Sequence, residues 1–137
     1  MIYVDANFWI YWFDGRLPEH RYVIKPMRMA IKEGVVLSIL TLMEIAHYFR
    51  HLQPKEFQSR MDCVQSLSTL TLVDLNLVLA KLALERLKKY AKVGVGARDS
   101  VILATMEVMN VTKIATHDEV FKRVEELKVV DPIPRKL

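Results

Sequence analysis

An intrachain disulfide is excluded at the outset, because Cys63 is the single cysteine among 137 residues. That scarcity fits a reducing intracellular compartment. Glycine (4) and proline (5) are scarce as well, which excludes collagen-like, linker-like and disordered chains. No apolar run reaches the ~18 residues of a membrane span. The longest, residues 35–43, already contains Ser38 and Thr41 and stops at Glu44. Asp5 interrupts the N-terminal apolar stretch, so no signal peptide or membrane partner is expected and a cytoplasmic location is. Neither sign of charge dominates: 20 Lys+Arg against 16 Asp+Glu leave a net +4 and a pI near 9.2. Such a balance tolerates a polyanionic partner without demonstrating one. What the chain has in quantity is hydrophobic residues, 52%. At this length that suffices for one core, and one domain over residues 1–137 is expected.

Along the chain, short apolar runs alternate with helical patterns. Residues 2–4 are β-prone and leave no room for a helical turn before Asp5. Residues 6–14 read as a helix stopped by Gly15, and the polar segment 16–20 with Pro18 as a loop. A helix is expected over 21–32, with Pro26 early in it or kinking it, closed by Gly34. Strand 35–38, helix 40–52, helix 55–68 opened by Pro54, and strand 70–73 follow. Residues 76–93 read as one long amphipathic helix that Gly94 and Gly96 break. A helix over 99–108, a strand at 113–116, a helix over 119–127 and a short strand at 129–130 complete the pattern, and residues 132–137 form a Pro-spaced basic tail. Strands that are apolar on both sides imply a mostly parallel sheet with helices on both faces, an α/β architecture.

Most of the acidic residues lie where a solvated face should lie. Four do not. Asp5 ends the first strand, Asp118 follows the fourth, Glu44 lies early in the helix after the second, and Asp99 opens a helix after the glycine break. Taken singly, Asp99 reads as an N-cap and Asp5 as a turn residue. Taken together they point to one edge of the sheet, because right-handed crossovers place the carboxyl ends of parallel strands on the same side, where ligands of open α/β sheets bind. Glu44, flanked by Leu42, Met43, Ile45 and Ala46, is costly as an ion unless paired or metal-bound. Several carboxylates at one locus repel each other, and a hard divalent cation, magnesium or manganese, removes the conflict. Magnesium held by carboxylates and water is common equipment for hydrolysing a phosphodiester.

Four stretches carry a resemblance. They are Ile2-Tyr3-Val4-Asp5-Ala6-Asn7; Ser38 to Glu44 with Thr41 between; Gly96-Ala97-Arg98-Asp99 with the apolar run after it; and Ile114-Ala115-Thr116-His117-Asp118-Glu119-Val120-Phe121. In this order and spacing, over residues 1 to about 131, the chain resembles the PIN-domain ribonucleases, especially VapC-type toxins of toxin–antitoxin systems. The resemblance implies a three-layer α/β/α fold around a sheet of four to five strands. It implies Asp5, Glu44, Asp99 and Asp118 as metal-binding catalytic acids, with Glu44 acting directly or through water. It implies supporting roles for Asn7, Ser38 and Thr116, an RNA substrate, an antitoxin partner and a homodimer. One departure stands out: many relatives carry a further acid two residues after the position of Asp118, where this chain has Val120.

Other features have plainer readings. Glu44, His47 and His51 share one helical face and could form a zinc site, although a third firm ligand is not apparent. The run Phe8 to Phe13 is apolar all round, reading as core with some surface for a partner or a stacked base. Arg86, Lys88, Lys89, Lys92 and Arg98 cluster around the glycine break. Arg98, Lys92 and Arg16 are the candidates for contacting RNA. The methionines read as core filler and Cys63 as structural. The expected function is a magnesium-dependent endoribonuclease. The alternative is a non-catalytic magnesium- or RNA-binding α/β domain, either an inactive PIN fold or a receiver-like signalling module.

Overall fold

The computed structural model describes all residues, 1–137. Five strands, β1 (Ile2–Val4), β2 (Val35–Ser38), β3 (Leu70–Val73), β4 (Lys113–Ala115) and β5 (Lys128–Val130), form one sheet in the order β3-β2-β1-β4-β5. Every neighbouring pair is parallel, in registers such as Ile2 with Val35 and Val4 with Ala115. The expected mostly parallel sheet is therefore entirely parallel. The chain builds outward from β1 to β3, then returns to the other side of β1 for β4. Crevices at such a reversal of strand order are where open α/β sheets bind ligands.

Side-chain alternation sorts the strands between two cores. Ile2, Val4, Val35, Leu37 and Ala115 face one layer. That layer is filled by α1 (Ala6–Phe13), α2 (His20–Glu33), α3 (Ile39–Phe49) and α4 (Pro54–Gln65), through residues such as Trp9, Met27, Ile45 and Val64. Tyr3, Val36 and Ile114 face the other layer, against Ile102 and Met106 of α6 (Ala97–Val108) and Phe121. With both faces covered, the central strands β1 and β2 are fully buried, whereas the edge strands β3 and β5 are half-buried and carry Thr71 and Lys128.

Several elements differ from the sequence reading, each for a local reason. The long helix over 76–93 is α5 (Leu77–Lys89), capped by the Asn76 side chain, followed by a separate 3-10 turn at Ala91–Val93. Gly94 ends that turn with φ of 95°. A Cβ there would be strained and would lie 3.3 Å from Arg123 Nη1. The α6 helix begins at Ala97, so Asp99 is its third residue rather than its first, and its carboxylate accepts from the Gly96 N–H at 3.1 Å. The helix expected over 119–127 is only a 3-10 turn, Glu119–Arg123. Val120, Phe121 and Val124 must all be buried while the chain returns at once to pair β5 with β4. Of the two places open to Pro26, early in the helix or at a kink within it, the chain puts it inside α2, past the first turn.

The α5 helix packs mainly on α6, through Leu79, Ala83 and Ala104, and meets the sheet at its edge, at Val73 of β3. Val101 is partly buried there, but Leu77, Val78 and Leu84 are 70%, 77% and 65% exposed. The α4 helix does not cover them, because Met61 and Val64 pack on the opposite face of the sheet. Met29 and Met43 are exposed too, so the methionines are core residues only at Met27, Met61 and Met106. The basic tail is pinned by Ile133, which is buried in the first core. No helix is long and apolar enough to cross a membrane.

Candidate active site

Asp5 is placed by the end of β1. Its N–H donates to Ala115 of β4 at 2.9 Å, and its backbone turns to cap α1. The side chain is fully buried. Oδ1 accepts from the Ala6 N–H at 2.8 Å, and Oδ2 accepts from the Thr116 hydroxyl at 2.7 Å. That hydroxyl also accepts from the Asp118 N–H at 3.0 Å and from Asn7 Nδ2 at 3.4 Å. Asn7 Oδ1 in turn accepts from the His117 N–H. The ends of β1 and β4 are thus laced together, with Asp118 in fixed register to Asp5.

Glu44 is placed by the start of α3. Ser38 caps that helix, its Oγ accepting from the Leu40 N–H at 3.1 Å. The Ser38 N–H donates to the Tyr3 hydroxyl, which also bonds Thr41 Oγ1 at 2.6 Å. Tyr3 thereby fixes the α3 entry from β1, a role the sequence reading missed because Tyr3 looked like ordinary strand filler. With Thr41 and Ile45 buried inward, Glu44 projects at the rim of the sheet edge.

One guanidinium joins the four acids. Arg98 donates through Nη2 to Asp5 Oδ1, through Nε to Glu44 Oε2 at 2.5 Å and through Nη1 to Asp99 Oδ1 at 2.9 Å. Asp118 Oδ2 lies 4.0 Å from Nη1. The open groove around them, about 880 Å³, is lined also by Asn7, Ile10, His47, Tyr48 and Arg50. Arg98 was expected to reach outward to phosphate, and here it is turned in among the carboxylates. Arg16 is 90% exposed and forked onto Asp14, and Lys92 lies on the 3-10 turn, with neither lining the groove. The zinc reading fails, because His51 faces a different hollow beside Phe13 and Arg60. Of the aromatic run, Phe8 and Trp9 are fully buried, Trp9 Nε1 donating to the Val4 carbonyl, whereas Trp12 and Phe13 are half-buried.

Electrostatics follow from burial. Burial raises the Asp5 carboxyl above its ordinary pKa, although Arg98 and Thr116 pull it back. Burial likewise raises Glu44 against the opposing pull of Arg98. Beside the site lies a second cluster that the sequence did not signal. Asp131, buried at the end of β5, accepts from Lys122 Nζ at 2.7 Å and pairs with His117 Nδ1 at 2.9 Å. It ties the loop carrying Asp118 to β5.

A family model of the PIN domain matches residues 2–127. The chain belongs to the PIN domain family. It is 26% identical over 141 residues to ribonuclease VapC2 of Methanocaldococcus jannaschii, covering 95% of this chain and 93% of that protein. Among solved structures it is similar to VapC20 of Mycobacterium tuberculosis, a sarcin-ricin loop cleaving toxin, with a TM-score of 0.77 at 14% identity, over 90% of this chain and 95% of that one. It is also similar to VapBC2 of Rickettsia felis bound to a promoter DNA fragment, with a TM-score of 0.71 at 20% identity over 95% and 98%. The third is FitAcB of Neisseria gonorrhoeae, with a TM-score of 0.73 at 23% identity over 96% and 98%. The sheet order and its two helical layers are those of a PIN fold, which removes the receiver-like alternative.

The donor set suits a hard divalent cation. Asp5 Oδ2, Asp99 Oδ2 and Asp118 Oδ1 are each engaged by the protein frame, through Thr116, Gly96 and Val120. The remaining oxygens of these aspartates turn toward Arg98, and Glu44 Oε1 is a buried acceptor with no partner at all. With Arg98 standing between them, no three side chains form a ready-made metal cage.

Proposed function

We propose that this PIN-domain protein is a magnesium-dependent endoribonuclease and the toxin of a toxin–antitoxin pair. The observation that carries the reading is the gathering of Asp5, Glu44, Asp99 and Asp118 around one cation position at the sheet's switch point. The likeness to ribonuclease VapC2 and to VapBC complexes supports RNA as substrate and an antitoxin as partner. Magnesium, or manganese in its place, supplies an activated water and neutralises charge on the phosphoryl and leaving oxygens.

The chain's own residues do the rest. Asp5, Asp99 and Asp118 hold the ion, each steadied by the backbone or hydroxyl bond on its other oxygen. Glu44, with its unengaged Oε1, orients the attacking water. Thr116 and Asn7 keep Asp5 and Asp118 in register, and Ser38 keeps Glu44 aimed by capping α3. No side chain serves as a covalent nucleophile. Beyond the acids, the groove continues along α3 into a hollow walled by Met43, Ala46 and Phe57, with His47 and Arg50 at its rim. His47 and Arg50 are both exposed, Arg50 Nη1 donating to the His47 carbonyl, so both are available to an RNA backbone passing over the apolar hollow. The exposed face of Leu77, Val78 and Leu84 is the surface for a homodimer, and the cytoplasm is the place of action.

The deciding experiment is RNA cleavage with magnesium against the Asp99→Asn variant. Wild type cleaves and stops on addition of a chelator. The variant loses roughly a hundredfold or more. Equal cleavage by both would refute the assignment.

A further inference from the structure

Arg98 stands where local rules disfavour a cation. It is the second residue of α6, behind the Gly96 cap, where the helix end is already positive. Its side chain is nonetheless drawn in to 32% exposure against Asp5, Glu44 and Asp99. Burial opposes its charge, but Asp5 and Glu44 overcome that and hold the guanidinium firmly protonated. A residue that breaks a local preference this way is expected at a functional position. The balance is also incomplete, since one positive charge faces four carboxylates.

The choice of oxygens is informative. Arg98 engages Asp5 Oδ1, Asp99 Oδ1 and Glu44 Oε2. The opposite oxygens of the two aspartates are committed to Thr116 and Gly96, and Asp5 Oδ1 also accepts from the Ala6 N–H but keeps a second lone pair facing the guanidinium. A hard cation bound by these acids needs the same inward oxygens, so ion and guanidinium compete for them. The groove offers room for the side chain to leave, on the side lined by His47 and Arg50.

Resting on the metal-dependent reading above, we infer that Arg98 is an internal stand-in for the catalytic cation. In the metal-free protein it holds the carboxylates together. A divalent ion displaces it into the groove, where its guanidinium becomes free for a phosphate. Loading of the ion and exposure of a phosphate-binding arginine are then one event, and the wild-type affinity for metal is reduced by the competition. A purely structural Arg98 has the opposite consequence, since its removal would scatter the carboxylates and weaken metal binding.

Two measurements separate these cases, and neither depends on cleavage. The first is calorimetric titration of Mn²⁺ at pH 8. Arg98→Gln binds roughly tenfold tighter than wild type or more. Arg98→Lys, which cannot bridge three carboxylates and serves if the glutamine variant does not fold, binds with intermediate affinity. Equal or weaker binding in the variants overturns the inference. The second follows the Nε–H signal of Arg98 by NMR in the wild-type protein, assigned by its loss in Arg98→Lys. Saturating Mg²⁺ moves it to the position and rapid solvent exchange of an exposed arginine, and an unmoved signal overturns displacement. Asp5→Asn keeps the two readings distinguishable. If that variant loses metal binding while the wild-type Arg98 signal stays still, only displacement falls. If it still binds Mn²⁺ as wild type does, the metal site and displacement fall together.

Discussion

Two arginines near the α5–α6 pair meet carboxylates in opposite ways. Arg86 of α5 forks onto Glu107 of α6, with both N–H···O contacts at 2.6 Å, one charge for one charge near the surface. Its hydrogen bonds lower the Glu107 pKa. Arg98 meets four acids deeper in the protein, and there burial outweighs the same kind of bond, so the Glu44 pKa rises. A balanced pair joins two helices and asks for nothing more. An unbalanced cluster is held under electrostatic tension, and a further cation relieves it.

The largest effect that sharpens this contrast is on catalysis. Asp118→Asn lowers magnesium-dependent RNA cleavage by roughly a hundredfold or more, whereas Glu107→Gln leaves the rate within about twofold of wild type. A comparable loss in both would erase the distinction. Next comes the frame around the acids. Thr116→Val removes the hydroxyl that holds Asp5 and Asp118 in register and lowers cleavage by roughly tenfold, mainly in kcat, with the fold retained by circular dichroism.

The pH dependence of the metal-free protein has two components of opposite sign. Asp5 and Glu44 have raised folded-state pKa values, so the folded protein binds their protons more readily than the unfolded chain does. Their contribution to stability falls as pH rises from the ordinary carboxylate range, about 4, through the raised values. Glu107 is lowered, so its contribution is present above about 4 and lost as pH falls through its depressed value. Above the ordinary carboxylate range the buried acids dominate, and the metal-free protein melts at a lower temperature as pH rises through their raised values. Saturating magnesium removes that slope. A melting temperature that rises with pH in the absence of metal would contradict this. The smallest effect is Arg86→Ala, which costs no more than about 1 kcal/mol in denaturant unfolding, because the pair is partly exposed.

Much of this was legible in the sequence, and the exceptions have physical causes. Strands 35–38 and 70–73 coincide with β2 and β3: β2 is a fully buried apolar run bounded by breaks, and β3, the half-buried edge strand, alternates Thr71 with apolar residues. The positions of the acids at strand ends were legible for the same reason. The inward turn of Arg98 was not, because a long flexible side chain beside Asp99 reads equally well as a solvated cation. The bond from Asp131 to His117 had no sequence signal, since it depends on β5 lying next to β4. The turn at Glu119–Arg123 was misjudged because its apolar spacing mimics a helix, while the short return to β5 leaves no length for one. The amphipathic character of α5 was legible, but its packing chiefly on α6 was a tertiary outcome.

The claim that the acids form one cation site is tested most directly by thermal unfolding during a magnesium titration, wild type against Asp5→Asn. The wild-type melting temperature rises with magnesium concentration, because the ion binds the folded site and not the unfolded chain, and the variant shows no such rise. An equal rise in both proteins would place the ion elsewhere and contradict the account.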